Sequence, residues 1–141
     1  MTLAKSKEKY PNYAEVMEYA NSIIESRKIA CKYQIKCCER FLEDLKNPDY
    51  EFSPKDAEFV IQIIESTFCH MQGEKLDGTP LRGEPFLLTT FHKFIVYNLL
   101  GFYLKGTKIR RFKEAFLYIP RKNIKTSFAG ALAWGIGLLQ R

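Results

Sequence analysis

Lys125 and Thr126 are the residues of this chain whose types and position most clearly suggest chemistry. They follow a short apolar run, Phe116 to Ile119, and a basic turn, and a helical pattern rich in small residues comes after them. A strand, a turn and a helix in this order can surround phosphate oxygens with backbone N–H groups. Lysine then contacts the outer phosphates, and a hydroxyl helps to bind Mg²⁺. The segment therefore indicates a phosphate-binding P-loop.

The glycine positions of this loop are occupied by isoleucine. The general pattern is G-x-x-x-x-G-K-[ST], and Ile119 and Ile124 stand where its two glycines are expected. Glycine tolerates positive φ and close approach to a phosphate, whereas a β-branched side chain resists both. Forcing isoleucine into the usual loop shape would cost about 1–3 kcal/mol. From these residues alone, an ordinary strand-to-helix turn with basic residues stays open as an alternative.

Hydrophobic periodicity predicts two helices in the first half of the chain. One long helix is expected over residues 12–46, with Asn12 as its N-cap and a stop at 47–49. Ser53 and Pro54 then open a second helix, because serine can cap and proline suits the first helical position. Its buried stripe is expected to run from Ala57 to Met71, with its end at Gly73. Glycine and proline make 73–85 a turn-rich loop.

The second half is expected to hold two further helices and one strand. A helix begins at Thr89 or Thr90 and runs to about Lys105, with Gly106 as its stop. Residues 115–119 are predicted to form a strand that pairs with a second copy or lies against the helices in non-sheet form. Residues 126–139 form the last helix. The expected fold is thus an α/β fragment, mainly α-helical: N-terminal helices over 1–75, then a strand–P-loop-like turn–helix unit of an incomplete P-loop NTPase domain within 76–141.

Composition limits the classes of protein that fit. The 141 residues are 46% hydrophobic, which suffices for one domain with a core. No window approaches the roughly 18 consecutive apolar residues of a membrane span, and residues 1–10 lack the apolar region of a signal peptide. The four cysteines and two histidines show no metal-ligand spacing, so reduced cysteines are expected.

The charge of the chain leaves a second function open. The formal net charge is +6, and a basic cluster lies at Lys108, Arg110, Arg111 and Lys113. Such a cluster can contact phosphates, so a stand-alone helical module that binds DNA or a protein is an alternative. A solvated connector is the simpler interpretation of the same residues. A helical structural protein without any ligand is the third hypothesis.

Several motifs occur together and in order along the second half. They are Pro85-Phe86-Leu87-Leu88, then Thr90-Phe91-His92-Lys93-Phe94-Ile95, then Arg110-Arg111-Phe112-Lys113-Glu114-Ala115, then Arg121-Lys122-Asn123-Ile124-Lys125-Thr126. With them, residues 85–139 resemble the N-terminal part of the ATPase domain of phage terminase large subunits, the motors that pump DNA into capsids. The upstream helices, including residues 38–45, resemble the region that precedes that domain, so the resemblance spans most of the chain.

The resemblance implies a role for individual residues. Arg121 would stabilise charge on the transferring phosphoryl group, and Thr126 would bind Mg²⁺. Phe91 and His92 stand where the family's adenine-contacting aromatic and glutamine lie, so histidine replaces glutamine here. The residues implied to contact ATP are Lys122, Asn123, Ile124, Lys125, Thr126, Ser127, Phe91 and His92.

The same resemblance implies cofactors, partners and a location. ATP and Mg²⁺ are the expected cofactors; duplex DNA and other terminase or portal subunits are the expected partners, with possible self-association and no membrane. The expected location is the cytoplasm of a bacterial host, with viral or prophage origin. Because no second acidic strand end and no nuclease domain follow Ser127, we expect a truncated motor segment that does not hydrolyse ATP by itself.

Overall fold

A computed structural model describes residues 9–118 and 125–139. Within these ranges the protein is mainly helical, with five helices and a two-stranded sheet. In chain order the elements are α1 (Pro11–Ile24), α2 (Lys32–Asp44), β1 (Tyr50–Phe52), α3 (Pro54–Thr67), α4 (Thr90–Leu100), β2 (Phe102–Leu104) and α5 (Lys125–Leu139).

The helices pack in a spatial order that differs from their order in the chain. α1 packs on α2 and on α4, α4 packs on α3, and α3 packs on α5. The antiparallel pair β1–β2 closes one end, with Tyr50 opposite Leu104 and Phe52 opposite Phe102. Residues from both halves of the chain therefore share one core, and its centre is an aromatic cluster made of Phe41, Phe52, Phe94, Tyr97 and Phe102.

The predicted helix over 12–46 is wrong in one respect, because it is two helices. α1 ends at Ile24, and Ser26 adopts a positive φ of 57° that no helix continues through. The Arg27 N–H then donates to the Ser22 carbonyl at 2.9 Å, which closes the turn. This reversal folds α2 back onto α1. Asn12 is also not the N-cap; Tyr10 takes that position and Pro11 begins the helix.

The second helix begins where the sequence predicts and ends earlier. Pro54 is its first residue, with Ser53 at the N-cap, and Ala57, Val60, Ile61 and Ile64 are buried as expected. It ends at Thr67 rather than Gly73, because residues 68–86 double back on themselves. Phe86 N–H donates to the Phe68 carbonyl at 2.9 Å, and His70 N–H donates to the Glu84 carbonyl at 2.8 Å.

The third predicted helix also ends earlier than expected. α4 ends at Leu100, and the chain leaves it through Gly101 into β2. A Cβ on Gly101 would lie 2.6 Å from Phe52 Cε2, so the close approach of β1 requires glycine here. Gly106 is not a helix stop; with a φ of 71° it lies in the turn after β2.

The strand predicted over 115–119 is absent from its described part. Residues 115–118 form neither strand nor helix. Leu117 packs against the core while Phe116 and Tyr118 are exposed, so within 115–118 the chain lies against the helices in non-sheet form. The described part of the last helix spans Lys125–Leu139, in agreement with the helix predicted over 126–139.

Candidate functional site

The start of α5 holds the described part of the P-loop-like segment. Lys125, Thr126 and Ser127 form its first turn, and their side chains are exposed. Arg121, Lys122, Asn123 and Ile124 lie outside the described residues. The first N–H groups of a helix have no partner within the helix and favour anions, so this end of α5 has the polarity that a phosphate requires.

Small residues bring α5 close to α3. A Cβ on Gly135 would lie 2.7 Å from Val60 Cγ1, so the Val60 side chain of α3 packs directly against the α5 backbone at Gly135. Phe128, Ala131 and Leu132 are the other buried residues of α5. The position of the first turn of α5 is thus set by close helix packing.

His92 and Phe91 lie in the first turn of α4, beside α5. The His92 ring is 8% exposed, and its centroid is 4.6 Å from that of Phe128 in the first turns of α5. His92 Nδ1 lies 2.7 Å from Thr89 Oγ1. Burial lowers the pKa of His92, so the ring is neutral at pH 7. The two parts of the predicted nucleotide site, at the starts of α4 and α5, therefore meet through one ring contact.

Lys93 fixes the start of α4 to its neighbours. Its Nζ donates to Glu15 Oε2 of α1 at 2.8 Å and lies 3.8 Å from Glu65 Oε1 of α3. Thr90 Oγ1 also donates to Glu15. Burial alone would raise the pKa of Glu15, but the hydrogen bonds from Lys93 and Thr90 outweigh it and lower the pKa. Lys93 is therefore a structural cation between two carboxylates.

A cavity of about 370 Å³ lies directly beside the first turns of α5. One wall is α5 itself, with Thr126 and Ser127. The other is made by the chain that follows α3, with Phe68, His70 and Gln72, and by Phe86. The His70 and Phe86 rings meet edge to face with centroids 5.1 Å apart. Sequence reasoning missed these residues because 68–72 was predicted as the end of a helix, and the doubling back of 68–86 has no local signal.

A larger cleft of about 980 Å³ lies on a different part of the surface. It is lined by the start of α3, the end of α4, the chain after β2 and the second half of α5. Lys108, Arg110 and Lys113 of the predicted basic cluster line it, and Lys55 joins them. Tyr103, also in its wall, donates to Asp56; burial and this carboxylate raise the pKa of Tyr103 to about 12.

Arg111 does not belong to this basic surface. Its guanidinium pairs with the buried Asp44 of α2 and lies over the Tyr50 ring at 4.1 Å. Arg40 lies 3.7 Å from the same carboxylate and donates to Asn98 Oδ1 at 3.0 Å. Arg111 thus anchors the chain after β2 to the helices, and its charge is compensated inside the protein.

Metal binding by this part of the chain would depend on hydroxyl groups. No cluster of three or more His, Cys, Asp or Glu side chains suited to a metal occurs in residues 9–118 and 125–139. Mg²⁺ in nucleotide sites keeps several waters and takes phosphate oxygens together with one or two protein carboxylates, so a hydroxyl would supply one ligand among several. Thr126, whose hydroxyl is the one implied to bind Mg²⁺, is exposed at the start of α5.

Comparisons with known proteins returned no match: no family model, no curated protein and no solved structure resembles the chain closely enough to be assigned. Within the described ranges, no helix is long and apolar enough to cross a membrane.

Proposed function

We propose that this chain is the first part of a terminase-like ATPase domain and that it binds the phosphates of Mg²⁺-ATP at the start of α5. The motif order in residues 85–127 supports the family assignment. The observation that supports the site is the exposure of Lys125, Thr126 and Ser127 at the start of α5, beside a cavity that Thr126 and Ser127 line.

Two described residues of α5 would supply the side-chain contacts of such a site. Lys125 supplies the cation for the outer phosphates, and Thr126 supplies the hydroxyl for Mg²⁺. Both side chains are exposed, so neither must leave an internal partner to meet a ligand. The N–H groups of the first turn add donors whose dipole favours anions. By the resemblance, Arg121 to Ile124 complete the loop.

Removing the lysine charge tests this function. Lys125→Ala is expected to weaken binding of Mg²⁺-ATP about 10- to 100-fold, because a hydrogen bond to a charged group is worth about 1.5–3 kcal/mol. Isothermal titration calorimetry on the full chain measures it. Lys36→Ala, at an exposed lysine of α2, is the matched control and should bind as the unchanged protein does.

A second variant is expected to bind the nucleotide more tightly, so weak binding becomes easier to detect in the same calorimetric measurement. Ile124→Gly restores the glycine of the general pattern and is expected to tighten binding, by up to the strain of about 1–3 kcal/mol that isoleucine would cause there. Equal affinity of the Lys125→Ala and Lys36→Ala proteins, or absence of binding even with Ile124→Gly, would contradict the proposal.

Binding of duplex DNA is the second candidate function. Lys108, Arg110 and Lys113 come from one segment after β2, and Lys55 of α3 lines the same cleft with them. The addition of Lys55 to the segment 108–113 supports an anionic partner at the cleft, although Glu51, Asp56 and Glu114 line it too. Binding to a duplex fragment, with a strong dependence on salt, distinguishes this function from nucleotide binding at α5.

A further inference from the structure

The floor of the larger cleft is apolar. Leu132, Ile136 and Leu139 are the residues of α5 that line it, and Leu99 of α4 and Phe112 lie with them. Beyond its first turn, α5 carries no charged side chain, so this side of the cleft offers no cation to a phosphate. Apolar surface with polar residues around it is typical of a site where another molecule docks.

The basic wall of the cleft, made of Lys108, Arg110 and Lys113, has a defined direction. Arg110 lies opposite Tyr103 in an antiparallel bridge, and opposed side chains share one face, so both line the cleft. Successive side chains of an extended chain point to opposite faces, and Arg111 accordingly leaves the cleft and pairs with the buried Asp44. This ion pair anchors the wall to the helices, so the cations of the wall are held at the cleft.

The charges of the cleft differ between its two sides. Glu51 and Asp56 lie on the side formed by β1 and the start of α3, together with Lys55, so two carboxylates and one cation leave a net charge of −1 there. The basic wall carries three cations and is followed by Glu114, which leaves a net charge of +2. A complementary partner therefore has acidic residues along the edge that faces the basic wall.

Duplex DNA matches only part of this surface. Its phosphates would meet the basic wall, but they would also meet Glu51, Asp56 and Glu114. The apolar side chains of α5 would gain nothing from a sugar–phosphate backbone. A protein segment with an apolar face and an acidic edge would pair with the cations and also remove the floor from water.

We propose that the larger cleft docks an amphipathic helix of a protein partner, with apolar residues on the floor and Asp or Glu along the edge that faces Lys108, Arg110 and Lys113. Such a helix presents apolar side chains at positions i, i+3, i+4 and i+7 to a groove. The inference is independent of nucleotide binding at the start of α5. It concerns the same surface as the second candidate function, and one experiment decides between the two partners.

Three fluorescein-labelled synthetic peptides of about four helical turns test this site on the full chain. The acidic peptide has leucine at i, i+3, i+4 and i+7 and glutamate along one edge, the basic peptide has lysine in place of each glutamate, and the third is a scrambled form of the acidic peptide. Fluorescence anisotropy gives the dissociation constants. The acidic peptide is expected to bind about tenfold more tightly than the other two.

Two changes in the cleft are compared with one change elsewhere. Lys108→Glu with Lys113→Glu, both exposed, is expected to weaken binding of the acidic peptide about tenfold and to tighten binding of the basic peptide. Ile136→Ser removes apolar contact from the floor and is expected to weaken the acidic peptide about tenfold. Lys32→Glu with Lys36→Glu, at exposed positions of α2, is the control of equal charge and should bind the acidic peptide as the unchanged protein does.

Binding of the acidic peptide that both cleft changes weaken and the control does not supports the docking site. The proposal is overturned if no peptide binds, if the three peptides bind equally, or if reversal of the charges at Lys108 and Lys113 leaves acidic-peptide affinity unchanged. These results do not depend on whether the Ile136→Ser protein folds. If a duplex DNA fragment binds, the charge reversal weakens it and no peptide binds, the cleft is a DNA site and the docking site is likewise overturned.

Discussion

His92 has a motif position that indicates base recognition, and in the structure its ring packs between two helices. In the motif it occupies the position of a base-recognising glutamine, beside Phe91. In the fold its ring fills the space between α4 and Phe128, with Thr89 on Nδ1. A neutral imidazole can play this part because it is flat, moderately polar and able to accept one hydrogen bond. Its burial also makes stability depend on pH.

The free energy of unfolding is expected to fall as the pH is lowered through about 6.5. Burial lowers the pKa of His92 in the folded protein, so below the unfolded pKa the unfolded chain binds more protons than the native protein. The stability that His92 supports is therefore present above that pH and is lost as the pH falls towards the folded pKa. Urea unfolding at about pH 7.5 and 5.5 measures the difference.

Two glutamine variants make this measurement specific. His92→Gln should reduce the loss of stability between the two pH values, whereas His70→Gln should retain it because His92 is still present. If the His92→Gln protein loses as much stability between the two pH values as the unchanged protein does, groups other than His92 cause the loss.

The candidate site could be predicted from the sequence only where a motif is local. Lys125 and Thr126 are candidates because a local motif marks them, and the described part of α5 begins at Lys125. The cavity between 68–72 and α5 could not be predicted, because nothing near 68–72 in the chain indicates that this segment faces α5. Its position depends on hydrogen bonds to 83–86, which no spacing pattern records.

At the scale of elements, the contact between α3 and α5 determines where the candidate site lies. The Val60 side chain packs against Gly135, and contacts between α3 and α5 hold the helix whose first turn lines the cavity. Gly137, on the same helix, has open space where its Cβ would be. The two glycines are therefore a natural pair for comparison.

Gly135→Ala is expected to destabilise the protein, and Gly137→Ala to stabilise it. The added methyl at 135 meets Val60 Cγ1 at 2.7 Å, and overpacking of this kind costs about 1–3 kcal/mol. At 137 the same change gains helix propensity of roughly 0.5–1 kcal/mol without a clash. Denaturant unfolding of both variants measures the difference; equal stabilities would show that α5 is not held at this contact.

The elements themselves were predictable where local signals mark their ends. Ser53 and Pro54 mark the start of α3, and the glycines and prolines of 73–85 mark a loop. The break between α1 and α2 was missed because apolar spacing continues across it and Ser26, not glycine, takes the positive φ. β1 and β2 were missed because each has three residues and forms only through its pairing with the other.

At the scale of the whole molecule, charge is distributed less evenly than the composition suggests. The formal net charge is +6, yet Lys93 and Arg111 are compensated by carboxylates inside the fold. Lys55, Lys108, Arg110 and Lys113 at the large cleft are accompanied by Glu51, Asp56 and Glu114. Substitution of the lysines in the cleft wall therefore tests directly whether this surface binds DNA.

Association with duplex DNA is expected to weaken as salt is raised. Each phosphate that a lysine neutralises contributes about 0.9 to the slope of log affinity against log salt. The double variant Lys108→Gln with Lys113→Gln should therefore reduce the slope by about 0.9 for each phosphate contact that is lost. Lys32→Gln with Lys36→Gln, at exposed positions of α2, is the control of equal charge. Mobility-shift titrations measure both. If the two double variants reduce the slope of log affinity against log salt by the same amount, the cleft has no special role in DNA binding.

Two of the cysteines, Cys31 and Cys69, are exposed and can react with a labelling reagent. Burial raises the pKa of the Cys38 thiol to about 11, so at neutral pH this sulfur is not a nucleophilic thiolate. Cys31 and Cys69 are exposed, and Cys69 lies in the wall of the cavity beside α5. An alkylating fluorophore or spin label directed to Cys69, with Cys31 and the half-buried Cys37 replaced by serine, would sit in the wall of that cavity. The native chain thus already carries an attachment point for a spectroscopic reporter of ligand occupancy, with the core thiol shielded from the reagent.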